Sequence, residues 1–427
     1  MLMPPPSSPR TRRLAELLRQ LVPANRFQTR RLQGAGFDPA SIAPDAPAES
    51  ILARLPFTTK ADLEEDQVQN PPFGTNLTFP LERYTRIHHT SGTTGRPLWW
   101  LDTPESWSWF AGCWDETYRA AGVAPGDRVF FPFSFGPFVG FWAGFESASR
   151  LGVLAIPGGG LGTGARLRLI RETGATVFAA TPTYALRLAA EARSDGFDLA
   201  STAVRKVIVA GEPGGSIPET RARIEEAWGA RCYDHAGMTE IGAYGFDCGE
   251  DPPGLHVHED EFFIEVVDPR TLAPVPDGAE GEVVITNLGR TGSPAIRYRS
   301  GDLVRLVTGR CACGRTSPRL VGGILARMDA MLFVRGNNVY PSAVEAIIRR
   351  FTQIEEFRVR AVKAAEMTEL VIEIEPGSPE EGDAARSLEK RVAAALETTL
   401  LFRSVVRVVP PGTLPRFELK GKRFVKE

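Results

Sequence analysis

Three short apolar runs decide the fold: Val153-Leu154-Ala155-Ile156, Thr176-Val177-Phe178-Ala179-Ala180 and Lys206-Val207-Ile208-Val209-Ala210. They are near-continuous hydrophobic runs, which marks strands covered on both faces. Pro157 and three glycines end the first, and Gly211 ends the last. Helix-like stretches, Ala165 to Thr173 and Thr183 to Ala192, separate them. From about Val129 to Val209 this alternation predicts α/β layering around a largely parallel sheet.

Beyond about Leu255 the pattern changes. Phe262 to Val267 and Gly281 to Thr286 flank a connection rich in Pro, Asp and Gly, which predicts an antiparallel hairpin in a β-rich subdomain of about 255–325. Further on, Val344, Ile347, Ile348 and Phe351 keep helical spacing behind Pro341. Leu370, Ile372 and Ile374 alternate as a half-buried strand, Leu388 to Leu396 gives a second helix, and Val405 to Val409 a last strand. The fold class is therefore α/β: a large N-terminal domain, 1–326, of layered α/β sheets plus the β-rich subdomain, and a small C-terminal α+β domain, 327–427.

A chain of 427 residues suggests roughly two to four domains. Its 43% hydrophobic and 24% charged residues exclude wholesale disorder. Lys+Arg 50 against Asp+Glu 52 gives no basic excess, so no nucleic-acid partner is expected. The N-terminus lacks the apolar core of a secretory signal and reads as a loose lead-in to a helix near Leu14. The longest uncharged stretch, Val129 to Phe145, is broken by Pro and Gly and is shorter than the ~20 residues of a membrane span. Five Cys in this length do not make a disulfide framework, so a cytoplasmic, reducing setting with thiols or metal is expected.

The segment Thr90-Ser91-Gly92-Thr93-Thr94-Gly95-Arg96-Pro97 carries the most chemistry. Its glycines let successive N–H groups and hydroxyls surround phosphate oxygens. No Gly-Lys-Ser/Thr follows, and Trp99-Trp100 read as a strand, so it is not a Walker loop. Taken alone it is either a phosphate cradle or a polar hairpin loop.

In context the segment resembles the phosphate loop of adenylate-forming enzymes, the superfamily of acyl-CoA synthetases and adenylation domains. Gly237-Met238-Thr239-Glu240, Tyr298-Arg299-Ser300-Gly301-Asp302-Leu303, Arg327-Met328-Asp329-Ala330-Met331, Arg335 to Pro341, and Leu414-Pro415-Arg416 through Lys420 follow in that superfamily's order. Leu55 to Leu63, Pro72-Phe73-Gly74, Thr181 to Tyr184 and Cys313-Gly314-Arg315-Thr316 are similar to phenylacetate-CoA ligases. The resemblance runs from about residue 50 to the end.

It implies an AMP-forming aryl- or arylalkanoate-CoA ligase, with ATP and CoA as substrates and Mg2+ as cofactor. A carboxylate attacking the α-phosphate is an anion approaching an anion, so positioning and charge stabilisation carry the catalysis. By resemblance, Thr90, Ser91, Gly92, Thr93, Thr94 and Gly95 hold the β- and γ-phosphates, with Thr94 also catalytic. Glu240 ligates Mg2+, and Thr239 and Arg327 contact the nucleotide. Asp302 takes the ribose hydroxyls, and Gly211, Glu212 and Pro213 form the adenine-side loop. Asp329 is the hinge of a mobile C-terminal domain. Lys420 is the adenylation lysine, with Lys422 nominated if the tail alignment slips by two residues. In isolation, Glu240 reads as a solvated helix-start carboxylate and Asp302 as a turn residue. The family's adenine-stacking aromatic is replaced by Ala236, with Tyr233 nearby, and Arg96 stands where Lys is common.

Cys248, His256, Cys311 and Cys313 supply the ligands zinc prefers, and four protein ligands would make that Zn2+ structural. The alternatives are His258 in place of His256, or ordinary buried thiols, as Cys113 and Cys232 are read. Phe135, Phe138 and Gly237 are the candidate pocket for a flat aromatic acid, within a cluster that also holds Phe133, Phe141 and Trp142. His89 and His235 read as structural. A homodimer is left open. Two rivals remain: an adenylating enzyme whose acceptor is a carrier protein or amine, and a non-catalytic nucleotide-binding protein.

Overall fold

The computed structural model describes residues 8–90, 97–133, 135–249, 254–334, 337–364, 367–418 and 420–426. The chain forms two compact units, each made of separate chain segments. The first comprises Met1–Gly126, Ser134–Ala155 and His235–Val321, the second Asp127–Phe133, Ile156–Asp234 and Gly322–Glu427.

In the first unit the opening helix runs Pro9–Leu21, earlier than the Leu14 start expected from sequence. Ser8 caps it, its hydroxyl accepting from the Thr11 amide at 3.1 Å, and Pro9 suits the first helical position, where no amide partner is needed. Leu14, Leu17, Leu18 and Leu21 then pack on Ile51, Leu52, Phe263, Leu288 and Ile296.

The expected hairpin is present: Phe262–Val267 pairs antiparallel with Glu280–Asn287, from Phe262 opposite Asn287 to Val267 opposite Glu282. Tyr298–Val307, Arg319–Val321, Gly254–Val257 and Gly242–Asp247 extend it as neighbours, all antiparallel. The β-rich region thus starts earlier than residue 255. The strands Arg86–His89 and Trp99–Asp102 pair antiparallel across the Gly-rich segment, His89 opposite Trp99. Trp99-Trp100 are the strand the sequence called for, and residues 91–96 lie outside the described residues.

In the second unit, Arg128–Phe131, Val177–Ala180 and Lys206–Ala210 pair in parallel, as their double-sided hydrophobicity requires. The helices Thr163–Glu172, Pro182–Ser194 and Pro218–Trp228 contribute Leu167, Ile170, Leu188, Ile224 and Trp228 to the core over these strands. A second sheet is built from Ile354–Ala364 and Met367–Pro376, antiparallel, with Val405–Val408 and Phe424–Lys426 added in parallel on either side. Helices Pro341–Arg349 and Gly382–Leu400 cover its core of Val344, Ile348, Phe357, Ile372 and Val392.

One interaction in the first unit stands out energetically. Asp102, at the end of Trp99–Asp102, and Arg290 are both fully buried. The guanidinium grips the carboxylate twice, Nε to Oδ1 at 2.7 Å and Nη2 to Oδ2 at 2.6 Å, and its Nη1 donates to the Thr239 carbonyl. Trp100 and Phe110 rings lie 5.4 and 4.9 Å from it. Removing one partner of such a pair strands a buried charge. Arg290→Met should therefore cost about 3–5 kcal/mol of stability, and adding Asp102→Leu should restore much of it. Urea unfolding midpoints test this; a loss below about 1 kcal/mol, the range of exposed pairs, would refute it.

Candidate active site

The candidate residues fall in both units. In the first, Thr239 and Glu240 form the tight turn between Arg231–Met238 and Gly242–Asp247. Glu240 is therefore neither at a helix start nor solvated, unlike its isolated reading: it is buried, and its Oε1 accepts from the Tyr298 hydroxyl at 3.1 Å. Among the described residues no hydrogen bond is made to Oε2. A buried carboxylate with an uncommitted oxygen suits a hard cation such as Mg2+. Arg290 holds the Thr239 carbonyl, and Asn287 donates to the Ile241 carbonyl at 3.0 Å, so the turn is pinned on both sides.

Asp302 is not in a β-turn. It lies inside the strand Tyr298–Val307, on a bulge. Glu282 faces Leu303 and Val284 faces Arg299, so one residue opposes three on the partner strand. Gly301, at φ +74°, takes the left-handed conformation that this requires. Ser300 Oγ donates to the Val283 carbonyl at 2.8 Å and accepts the Asp302 amide at 3.0 Å. Glu282 receives the Gly301 amide on one oxygen and the Arg299 guanidinium on the other. The Ser-Gly-Asp order thus has a local cause: a hydroxyl to pin the bulge, a glycine to turn it, and the acid it presents.

Thr90 is buried, and its Oγ1 accepts from the Leu98 amide at 3.0 Å, closing the hairpin ends; Ser91, Gly92, Thr93, Thr94 and Gly95 lie outside the described residues. Gly237 is tightly surrounded: a Cβ would stand 3.1 Å from both the Gly242 carbonyl and His235 Nε2. Phe138 meets His89 edge-on at 4.9 Å, and His89 meets Trp99 at 5.0 Å, whereas Phe135 packs on Trp142 and Phe145. Phe135 and Phe138 thus serve two separate aromatic groups. Ala236 is buried.

In the second unit, Gly211, Glu212 and Pro213 follow the strand Lys206–Ala210, with Gly211 at φ +93°. Glu212 Oε1 accepts the Thr183 amide at 2.9 Å, and Oε2 the Gly421 amide at 2.7 Å. Lys420 lies alongside: its Cε is 3.6 Å from where a Cβ on Gly211 would stand. Lys422 is exposed. Arg327 pairs with Asp329, Nη2 to Oδ2 at 2.8 Å. Tyr233 lies under the Arg231 guanidinium, 5.6 Å from the ring centroid.

The cysteine constellation assembles within the first unit. The ligand atoms of Cys248, His256, Cys311 and Cys313 lie within 4.8 Å of one another. Cys248 and Cys311 sulfurs are 3.5 Å apart, and Cys313 Sγ is 3.3 Å from His256 Nε2. Tetrahedral zinc at Zn–S of about 2.3 Å would space its sulfurs about 3.8 Å apart, close to this arrangement. His256 Nδ1 faces the Ser317 carbonyl at 3.2 Å, which leaves Nε2 to the cluster. Burial raises the Cys313 thiol, but hydrogen bonds from Arg315, Cys248 and Cys311 outweigh it and bring the pKa down to about 7. His258 does not join; it packs against Phe246 and Phe262. Cys113 and Cys232 are buried apart from the cluster.

Sequence reading missed Asp102, Arg290, Glu282 and the role of Tyr298. Glycines were the available signal at Arg290: Gly289 lies so close to Trp109 that a Cβ would stand 2.1 Å from its ring, and Gly292 approaches Ser106.

The chain belongs to the AMP-binding enzyme family, which matches residues 30–290, while the AMP-binding enzyme C-terminal domain matches 336–427. Within that family it is phenylacetate-CoA ligase-like. It is 33% identical to the phenylacetate-coenzyme A ligase of Thermus thermophilus over 96% of this chain and 93% of that one. The Escherichia coli protein of the same name is 32% identical over 91% and 88%. Among solved structures, 2-hydroxyisobutyryl-CoA ligase in the postadenylation state, in complex with 2-HIB-AMP, matches with TM-score 0.91 at 30% identity, covering 98% and 89%.

His88 and His235 flank the Thr90 and Gly237 segments, and burial lowers each to a pKa of about 4. An unfolded histidine titrates near 6.5, so the unfolded chain binds more protons between those values and stability falls as pH drops through that window. Each histidine accounts for up to about 3 kcal/mol of this loss. His235→Gln should flatten the decline in urea midpoint between pH 6.5 and 4.5, and an unchanged slope would contradict the buried neutral histidine.

Proposed function

We infer that this chain is an AMP-forming acid–coenzyme A ligase and that its acid is an aryl or arylalkanoate. The observation that supports it best is the first unit's pairing of a pinned, buried Glu240 with a bulge-presented Asp302, in a chain whose relatives at 31–36% identity are phenylacetate-coenzyme A ligases. The first step joins the acid carboxylate to the ATP α-phosphate and releases pyrophosphate, and the second passes the acyl group to the CoA thiol. Asp302 takes the ribose hydroxyls, and Glu240 holds the Mg2+ that offsets phosphate charge. Thr90 to Gly95, with Thr94, surround the β- and γ-phosphates, and Thr239 and Arg327 contact the nucleotide. Phe135, Phe138 and Gly237 are the residues nominated for the acid pocket by resemblance, the two rings standing in separate aromatic groups. Lys420 rather than Lys422 is the adenylation lysine, supported by its place against Gly211. A division at 326/327, with Asp329 as hinge, lets residues 327–427 move between steps. Five cysteines, none of them in a disulfide, support a reducing, cytoplasmic setting.

A second substrate reading, a small hydroxy acid, is favoured by the 2-hydroxyisobutyryl-CoA ligase likeness. Pyrophosphate release with a panel of aromatic and short hydroxy acids, with and without CoA, decides between them. CoA-independent turnover with an amine or carrier protein would instead favour another acceptor.

Asp302→Ala should weaken ATP binding by roughly 2–4 kcal/mol, the loss of two charge-assisted hydrogen bonds. Calorimetry measures this, and an unchanged dissociation constant would sink the assignment.

Cys248, His256, Cys311 and Cys313 hold a structural Zn2+ in the same reading. Protein purified without chelators should carry about one zinc per chain. Cys311→Ser should lose it and melt at lower temperature. Metal-free protein on elemental analysis would end this claim.

A further inference from the structure

In the Gly211-Glu212-Pro213 turn Gly211 is exposed, and the Glu212 carboxylate is committed to backbone amides. Thr181 caps the helix Pro182–Ser194, and the Thr183 amide belongs to its first turn, where backbone N–H groups lack helical partners and favour an anion. Glu212 Oε1 takes that amide, and its Oε2 takes the Gly421 amide. Gly421 is the residue after Lys420.

The surrounding contacts fix the geometry. Thr183 Oγ1 accepts from Arg423 Nη1 at 2.9 Å, and Arg423 forks onto Glu356 at 2.5 and 3.0 Å. Glu418 meets Arg166 at 3.5 Å, and Arg416 pairs with the buried Glu375. A Cβ at Gly421 would stand 2.3 Å from Arg423 Nη1 and 3.1 Å from Thr183 Oγ1, so a side chain there would displace the guanidinium that Glu356 and Thr183 hold. Burial raises the Glu212 pKa, opposed by the nearby Arg423 charge.

We propose that Glu212 is a positioning residue for Lys420: anchored on the Thr183 amide, its carboxylate binds the Gly421 N–H and so fixes the tail segment that presents Lys420 beside Gly211. The inference rests on the ligase reading and changes one part of it. The Gly-Glu-Pro backbone faces the nucleotide, while the glutamate side chain serves the lysine. The contact is a pair of hydrogen bonds, so it forms and breaks without covalent change.

The test is Glu212→Gln, which keeps size but offers one acceptor where two are needed. Hydrogen bonds to a charged acceptor contribute enough that adenylation, read as acid-dependent pyrophosphate release, should fall about 10-fold or more. Transfer from chemically supplied acyl-adenylate to CoA should fall much less. Lys420→Ala should cost far less in the Glu212→Gln background than in wild type, because the two act on one step. Independently of catalysis, trypsin should cut after Lys420 faster in Glu212→Gln than in wild type, read by mass spectrometry on the folded chain. Equal loss in both half-reactions, full additivity with Lys420→Ala, or unchanged cleavage after Lys420 would each overturn the proposal. If wild type releases no pyrophosphate with any acid, the ligase reading fails, and the cleavage rates still decide whether Glu212 holds the tail.

Discussion

The buried Asp102–Arg290 pair is the constraint on which the first unit's chemistry depends. Charges taken fully out of water lose several kcal/mol of solvation each, and mutual attraction repays that only with near-ideal geometry and satisfied remaining donors. Both conditions are met: the fork closes on both carboxylate oxygens, and the leftover Nη1 goes to the Thr239 carbonyl. Asp102 ends the strand that leaves the Gly-rich segment, and Thr239 precedes the acid proposed to hold Mg2+. One guanidinium therefore sets the distance between two parts of the site that are far apart in sequence. An apolar pair of equal volume could be as stable, but it could not address a backbone carbonyl.

The same economy recurs at Glu282, which is 2% exposed. It holds Arg299 with one oxygen and the Gly301 amide with the other, so a salt bridge also stabilises the bulge that carries Asp302. In the second unit the tail works alike. Glu375 receives the Gly412 and Leu414 amides as well as Arg416. Phe424–Lys426 then joins a sheet edge beside Ile354–Ala364, so the segment carrying Lys420 is tethered at both ends.

Layering was legible because it rests on local hydrophobic pattern: the runs ending at Ala180 and Ala210 are the parallel strands, and Phe262–Val267 is half of the expected hairpin. The C-terminal helices behind Pro341 and through Leu388 follow their spacing. The strand Ile354–Ala364 was overlooked although Phe357, Val359 and Ala361 alternate inward, because Arg and Glu fill the other face and resemble a charged surface run. Phe424–Lys426 is three residues long, too short to show a period. Motifs nominate the candidate site residues, but the residues that support them are not legible in the sequence. Nothing near Asp102 in sequence points 188 residues ahead to Arg290. The bulge under Asp302 depends on strand register, which no single strand's sequence declares. Cys248, His256, Cys311 and Cys313 were legible as ligand types, and their convergence needed the antiparallel neighbours Gly254–Val257 and Arg319–Val321.

The carboxylates share one electrostatic logic. A reaction that brings an anion to a triphosphate suffers from any additional negative charge nearby: at 4 Å and an effective dielectric near 20, a bare carboxylate would repel by about 4 kcal/mol. Asp102 and Glu282 are each neutralised by an arginine in the first unit, and Glu356 and Glu375 by Arg423 and Arg416 in the second. Glu212 has no such fork; two backbone amides take its charge instead. The positive ends of these amide dipoles stabilise the carboxylate directly, and the Arg423 guanidinium, whose fork goes to Glu356, adds its charge from nearby. An acid can therefore sit near Lys420, the lysine proposed for adenylation, with both oxygens committed to backbone N–H groups.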